Sequence, residues 1–219
     1  MSNSSFTYVP APYPVEARPR GVRFSGREIF QLLVSTLVLT VAFSISRMNG
    51  IFGTFVSLDD LLFVLPIAFV AVLTGYLLHE LAHKLVAQGY GMRAEFRYWP
   101  FGLLFALLTS LMGFVFAAPG AVMIHGRTTL EKYGRISAAG PMVNLLIGAI
   151  LTPMIIMLPS PYAYVAFFVA TINVFLAGFN LLPIPPLDGS KIFGWNKAVW
   201  AAMIASAAGL YILQIMITA

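Results

Sequence analysis

Long apolar runs separated by short polar clusters dominate this chain. The first run spans Ile29 to Ile45 between Arg27 and Arg47, just long enough to cross a bilayer as a helix. Met48-Asn49-Gly50 and Phe52-Gly53 begin a connection that ends at Asp59-Asp60. The second run carries no charged residue from Leu61 to Leu78 and continues as helix to about Ala87. That is roughly 40 Å at 1.5 Å per residue, more than the ~30 Å hydrocarbon thickness. Pro66 predicts a bend in its outer half, and Gly89 and Gly91 stop it. Further spans are expected at about Ile136–Leu158, Tyr162–Leu182 and Ala198–Thr218. The Pro-rich exit Asn180–Gly189 has three prolines in four positions (183, 185, 186), which rules out regular helix and predicts an extended segment lining a cavity.

Between the second and third clear spans the pattern changes. Met92–Pro100 alternates partly and is aromatic, and Ala121–Ile124 reads as a second short strand. The apolar stretch 101–118 lies between them. If it spanned, Arg127, Lys132 and Arg135 would lie outside, against the positive-inside rule, so a re-entrant or interface-lying segment is expected.

Composition fits these runs. Of 219 residues, 59% are hydrophobic and 10% charged, against about 25% charged in soluble domains, and the mean hydropathy is +0.87. The fold class that follows is an all-α polytopic membrane protein, a bundle of five to six transmembrane helices with short interfacial β segments, whose partner is the lipid bilayer. Residues 1–27, with four prolines and four arginines, read as a flexible tail, and Arg18, Arg20, Arg23 and Arg27 place it in the cytoplasm. They contain no apolar stretch of the signal-peptide kind. Residues 28–219 read as one integral membrane domain. The net charge of +5 does not indicate nucleic acid, because the basic residues sit at the edges of apolar runs, where they set topology. There is no cysteine, so disulfides and thiolate metal ligands are excluded.

The second run ends in His79-Glu80-Leu81-Ala82-His83. At 3.6 residues per turn, His79 and His83 lie one turn apart on one helix face, where both imidazoles reach one ion. Glu80 is placed to hold a water as general base. A surface helix carries such residues by chance. Inside an apolar helix they are costly and mark a functional site. The histidines lie toward the inner end of the helix, so a metal there would be submerged near the cytoplasmic face.

A catalytic zinc takes three protein ligands and leaves one position open. Asp188 is the candidate third ligand, at the depth of the histidines; an ordinary Asp-Gly turn is the competing reading. His125 is a second candidate in a polar Gly-Arg-Thr-Thr loop, and Glu95 and Glu131 are the later glutamates, both on polar, interfacial loops. Asn144, one to two turns into the third span, could donate to a substrate carbonyl or oxyanion, worth about 3 kcal/mol, or could tie helices together. A membrane metal-binding protein without proteolysis, such as a transporter or a silent relative, is the competing class. The outer helix halves are nearly bare of polar residues and Glu80 is retained, which argues against both.

His79-Glu80-Leu81-Ala82-His83, then Ala139-Gly140-Pro141-Met142-Val143-Asn144, then Asn180-Leu181-Leu182-Pro183-Ile184-Pro185-Pro186-Leu187-Asp188-Gly189, in this order on separate apolar segments, resemble the site-2 protease family of intramembrane zinc metalloproteases. The resemblance covers about residues 60–195. It implies a catalytic three-helix core, one Zn2+ per chain held by His79, His83 and Asp188, Glu80 as base, and Asn144 as a substrate-positioning residue. It implies hydrolysis of a peptide bond in or near a transmembrane helix of a substrate membrane protein, such as a membrane-tethered regulator. It also implies a multi-pass location in the cell membrane. The family's exit often reads Asp-Gly followed by Gly or Ser and then a basic residue, and here it is Asp188-Gly189-Ser190-Lys191; the stretch between the second and third clear spans is too short for an inserted PDZ domain.

Overall fold

The computed structural model describes residues 21–47, 58–116 and 118–218. Most of the N-terminal tail and the connection 48–57 lie outside the described residues. Among the described residues, five helices are long and apolar enough to cross a membrane: Gly26–Arg47, Asp59–Gly89, Leu130–Met157, Tyr162–Asn180 and Lys197–Thr218. The chain is a multi-pass membrane protein.

The first helix, α1 (Gly26–Arg47), has Glu28 in its first turn and Arg47 in its last, each the favourable charge for that end of the helix dipole. The second span is composite. It runs as α2 (Leu58–Val72), a π-helical turn (Leu73–Leu77) and α3 (Leu78–Gly89). The expected irregularity at Pro66 is absorbed within α2, and the departure from α geometry falls one to two turns later, directly before His79. A π turn widens the helix by one residue and leaves carbonyls without their usual partners. The Gly75 carbonyl uses this freedom: it accepts from Asn144 Nδ2 at 2.9 Å. Gly75 also lets the helix Tyr162–Asn180 approach, since a Cβ there would lie 2.9 Å from Leu176 Cδ1.

The middle of the chain forms the expected strands. β1 (Arg93–Tyr98) pairs antiparallel with β2 (Gly120–His125), with Arg93 opposite His125 and Tyr98 opposite Gly120. Between them lies α4 (Pro100–Ser110), only 11 residues and therefore about 16 Å long. The two ends of this excursion are tied together, Trp99 N–H donating to Pro119 O at 2.8 Å. The segment leaves and returns through neighbouring strands and its helix is too short to cross a bilayer, as expected of a re-entrant or interface-lying segment.

The third span, α5 (Leu130–Met157), begins earlier than the apolar pattern predicts. Thr129 caps it, its hydroxyl accepting from the Lys132 N–H at 3.2 Å, and the Glu131–Arg135 pair lies on its exposed first turns. Helix α6 (Tyr162–Asn180) follows. The Pro-rich exit then differs from the extended segment expected: it is a series of tight turns, with Ile184 N–H bonding Leu182 O and Leu187 N–H bonding Ile184 O. Its prolines lie exposed. It delivers Asp188 as the first residue of a short helix, α7 (Asp188–Trp195), which precedes α8 (Lys197–Thr218).

The core runs between α1, α2, β1, α4 and α6, with Leu39, Phe43, Ala68, Val72, Phe96 and Phe168 among its buried members. Outward faces are equally apolar. On α8, Gln214 is buried while Tyr211, Ile212, Ile215 and Met216 are exposed, an arrangement suited to lipid and costly in water. Inside, Gln214 Nε2 donates to Thr152 Oγ1 at 3.0 Å, tying α8 to α5.

One buried ion pair joins α1, α3 and β1. Lys84 Nζ donates to both carboxylate oxygens of Glu28 at 2.7 Å and to Ala94 O at 2.9 Å, and Phe96 N–H donates to Glu28 Oε1 at 2.9 Å. Neither charged side chain exceeds 2% exposure. Removing one member leaves an uncompensated buried charge, which costs about 3–5 kcal/mol. Glu28→Ala is therefore expected to lower the unfolding free energy in detergent by about that amount, and Glu28→Met with Lys84→Met to recover most of it. Denaturant titration of the two single variants and the double variant measures the coupling.

Candidate metal centre

The metal-ligating groups come from α3, α5 and α7. On α3, His79 and His83 are both buried and their rings meet edge to face, centroids 4.7 Å apart. Each ring is oriented by its Nδ1. His79 Nδ1 lies 3.1 Å from Asn144 Oδ1, and His83 Nδ1 lies 2.7 Å from the Ile136 carbonyl. Both partners are oxygen acceptors, so both Nδ1 atoms carry the proton and donate. That makes Nε2 the inward-facing nitrogen of each ring, the one available to a metal.

Asp188 completes the group. Its Oδ2 lies 3.0 Å from His83 Nε2 and 3.4 Å from His79 Nε2. Ligand atoms about 2.0–2.2 Å from a tetrahedral zinc are separated by roughly 3.3–3.5 Å, so this spacing suits three vertices around one ion. All three residues are buried, and their ligand atoms lie within 4.8 Å of one another. The other carboxylate oxygen, Oδ1, accepts from Lys191 Nζ at 3.1 Å, one turn along α7. The residues present fit a zinc ion.

Space for the group is made by Gly140. A Cβ there would lie 2.5 Å from His83 Nε2 and 2.6 Å from His79 Nε2. Gly189 has the matching role beneath Asp188: a Cβ would fall 2.1 Å from Leu181 O, so only glycine lets the start of α7 close against the end of α6. Glu80 is half-buried, directly after the first histidine.

Asn144 is fully buried, and both ends of its amide are engaged, Oδ1 by His79 and Nδ2 by the Gly75 carbonyl. Of the two roles open to it in the sequence, the geometry supports the tie between helices, with the addition that the tie runs through a histidine of the metal group. Nδ2 carries two hydrogens and gives one to Gly75, so the donor role toward a substrate carbonyl stays open beside the tie.

The alternative third ligands lie elsewhere. His125 is exposed at the end of β2, opposite Arg93, and Glu131 pairs with Arg135 at 2.7 Å on the surface of α5. The carbonyl of Ile136 and the Lys191 ammonium were not legible as site residues. A backbone acceptor has no side-chain signature, and Lys191 resembles an ordinary topology-setting cation.

Among proteins of known description, the chain is 39% identical over 198 residues to "Putative zinc metalloprotease MJ0611" of Methanocaldococcus jannaschii, covering 89% of this chain and 97% of that one. It is 32% identical over 161 residues to "Putative zinc metalloprotease Rip3" of Mycobacterium tuberculosis, covering 68% of this chain and 37% of the relative. It is 30% identical over 131 residues to "Zinc metalloprotease MJ0392" of M. jannaschii, covering 58% and 33%. The chain thus spans about a third of the length of the latter two. No family model matches, and no solved structure matches.

Two outcomes test the geometry. Asn144→Ala removes the acceptor that fixes His79, and the affinity for zinc is expected to fall about 10–100-fold in chelator competition. Gly140→Ala drives a methyl group against both Nε2 atoms, and the purified protein is expected to hold no zinc by elemental analysis.

Proposed function

Because this chain belongs to the site-2 protease-like family of zinc metalloproteases, we propose that it is an intramembrane zinc endopeptidase that hydrolyses a peptide bond in or near a transmembrane helix of a substrate membrane protein. The observation that carries this reading is the convergence of His79 Nε2, His83 Nε2 and Asp188 Oδ2 beside Glu80, inside a bundle whose outer faces are apolar.

One Zn2+ per chain, held by His79, His83 and Asp188, would act as a Lewis acid and bring the pKa of a water ligand to about 7. Glu80 takes a proton from the attacking water and returns it to the leaving amine. Asn144 and the Ile136 carbonyl hold the two imidazoles in the ligand tautomer, and Lys191 holds Asp188 through its second oxygen. Asn144 thus acts as a positioning residue through His79.

A helical substrate has its carbonyls engaged in i→i−4 bonds and must unwind before attack. Adding the unwound segment to a sheet edge would stabilise it, and the two strands differ in what they offer. The outward groups of β1 are occupied: Ala94 O accepts from Lys84 and Gln88, and Phe96 N–H donates to Glu28. Ala94 faces Ile124 and Phe96 faces Val122, so by antiparallel alternation the Val122 and Ile124 backbone groups point away from β1. The outer edge of β2 is therefore the docking edge in this reading. The basic residues Arg93, Arg97, Arg127, Lys132 and Arg135 lie with the sheet and the start of α5, which supports a cytoplasmic location for that end of the bundle in this reading.

A metal-binding role without proteolysis is the alternative, and one comparison separates them. Wild type and Glu80→Gln are both expected to carry near-stoichiometric zinc, and only the wild type to cleave a single-span substrate. The variant's rate should fall about 10²–10⁴-fold. Zinc in both with cleavage by neither would sink the protease reading; no zinc in folded wild type would sink the metal site. Val122→Pro, which removes an outward donor from β2, is expected to slow cleavage while zinc content stays unchanged.

A further inference from the structure

The π turn at Leu73–Leu77 lies between two helix faces whose relative direction it sets. α2 packs into the core through Ile67, Ala68, Ala71 and Val72, while α3 turns His79 and His83 toward Asp188. A π turn holds one residue more than an α turn. At 3.6 residues per circle, that residue rotates everything after it by about 100° relative to a continuous α-helix. The metal face keeps its direction only while the turn keeps its extra residue. Such turns are rare, so the surrounding structure has to hold this one.

Two consecutive residues of the turn are held from outside, each by an asparagine amide. Gly75 O accepts from Asn144 Nδ2 of α5 at 2.9 Å. Thr74 Oγ1 accepts from Asn173 Nδ2 of α6, also at 2.9 Å. The Thr74 hydroxyl in turn donates to Val70 O at 2.9 Å, with Ala71 O at 3.1 Å, which joins the amide to the carbonyls where α2 gives way to the turn. α6 lies directly against this point: a Cβ on Gly75 would be 2.9 Å from Leu176 Cδ1, 3.4 Å from Ile172 Cγ2 and 3.7 Å from Asn173 Nδ2. The two asparagines come from helices in close contact, since a Cβ on Gly148 of α5 would meet Val174 Cγ2 of α6 at 2.5 Å.

Asn173 is not placed as an ordinary tie between helices. It is fully buried, and its Oδ1 has no hydrogen-bond partner among the described residues. Nδ2 gives its other hydrogen to Val169 O, one turn back in the same helix, at 2.9 Å. An unmet buried acceptor is costly. A leucine would remove that acceptor and leave the Thr74 hydroxyl still bonded to Val70 O. The position thus holds an amide at a cost to stability, and what the amide supplies across the helix boundary is the bond to Thr74. We propose that Asn173 is a positioning residue of the metal centre: through Thr74 it holds the π turn in register, and so keeps His79 aimed at the zinc position from a helix that supplies no ligand. This rests on the reading of His79, His83 and Asp188 as a zinc site. Asn144 bonds His79 directly, whereas Asn173 acts only through the backbone that carries it.

Zinc affinity of the purified protein, measured by chelator competition, tests this without need of activity. Asn173→Leu and Thr74→Val are each expected to weaken zinc binding about 3–30-fold. The double variant is expected to bind no more weakly than the weaker single variant, because both changes cut one path. Thr74→Ser keeps the hydroxyl and is expected to bind as wild type does. Metal-free Asn173→Leu is expected to unfold at or above the temperature of metal-free wild type. Gln214→Leu cuts a comparable buried tie, from Gln214 Nε2 to Thr152 Oγ1 about two turns beyond Asn144. It is expected to lower the unfolding temperature and leave zinc affinity unchanged. Co2+ in place of zinc gives visible bands that report ligand geometry, and these are expected to change in Asn173→Leu and not in Gln214→Leu. Unchanged affinity in Asn173→Leu, or losses that add in the double variant, overturn the proposal. So does equal behaviour of Asn173→Leu and Gln214→Leu in either readout, which would make Asn173 one helix tie among others. A folded wild type without zinc removes the metal site and the positioning role together; zinc in the wild type with unmoved variants removes only the role of Asn173.

Discussion

Everything polar that this chain carries into its apolar bundle must find a partner inside the protein, because the surrounding medium offers none. The metal group shows the consequence most directly. Two imidazoles and a carboxylate are buried together, and each has a second bond on the side away from the others: His79 to Asn144, His83 to the Ile136 carbonyl, Asp188 to Lys191. These outer bonds set which ring nitrogen faces inward and fix the directions of the inner ligand atoms. A site assembled from three separate helices is held to the separation a zinc ion needs because none of its members is free to rotate.

The same requirement shapes the backbone. The π turn at Leu73–Leu77 would be a defect in an isolated helix, but here it turns the Gly75 carbonyl toward Asn144, which in turn receives His79. Glycines appear where side chains cannot be accommodated: Gly140 against the two Nε2 atoms, Gly189 against the end of α6. The Glu28–Lys84 pair applies the rule to charge. Its members satisfy each other, and their remaining capacity occupies the outward groups of β1, so an ion pair that anchors the sheet to the helix bearing His83 also determines which sheet edge is open.

Much of this was legible along the chain. The spans follow from apolar run length against bilayer thickness, and the expectation that 101–118 does not cross, drawn from the placement of Arg127, Lys132 and Arg135, agrees with a helix of only 11 residues there. His79 and His83 are separated by one helical turn, so their convergence is a local property that spacing alone reveals. Asp188 was accessible because so few acidic residues lie at the right depth. The start of α5 was missed by about two turns because its first residues are polar and are held helical by the Thr129 cap, not by hydropathy.

The sequence by itself determined the class of protein, the order of its clear spans, and the residues able to hold a metal, since these depend on composition and on short-range spacing. Only the tertiary structure decided what each residue's second bond is. That Asn144 is committed to His79 and Gly75, that a backbone carbonyl 53 residues away orients His83, and that Lys84 reaches back 56 residues to Glu28 are contacts between helices. Such contacts depend on how the spans pack, and hydropathy, which records only that a residue prefers the interior, does not specify which neighbour it meets there.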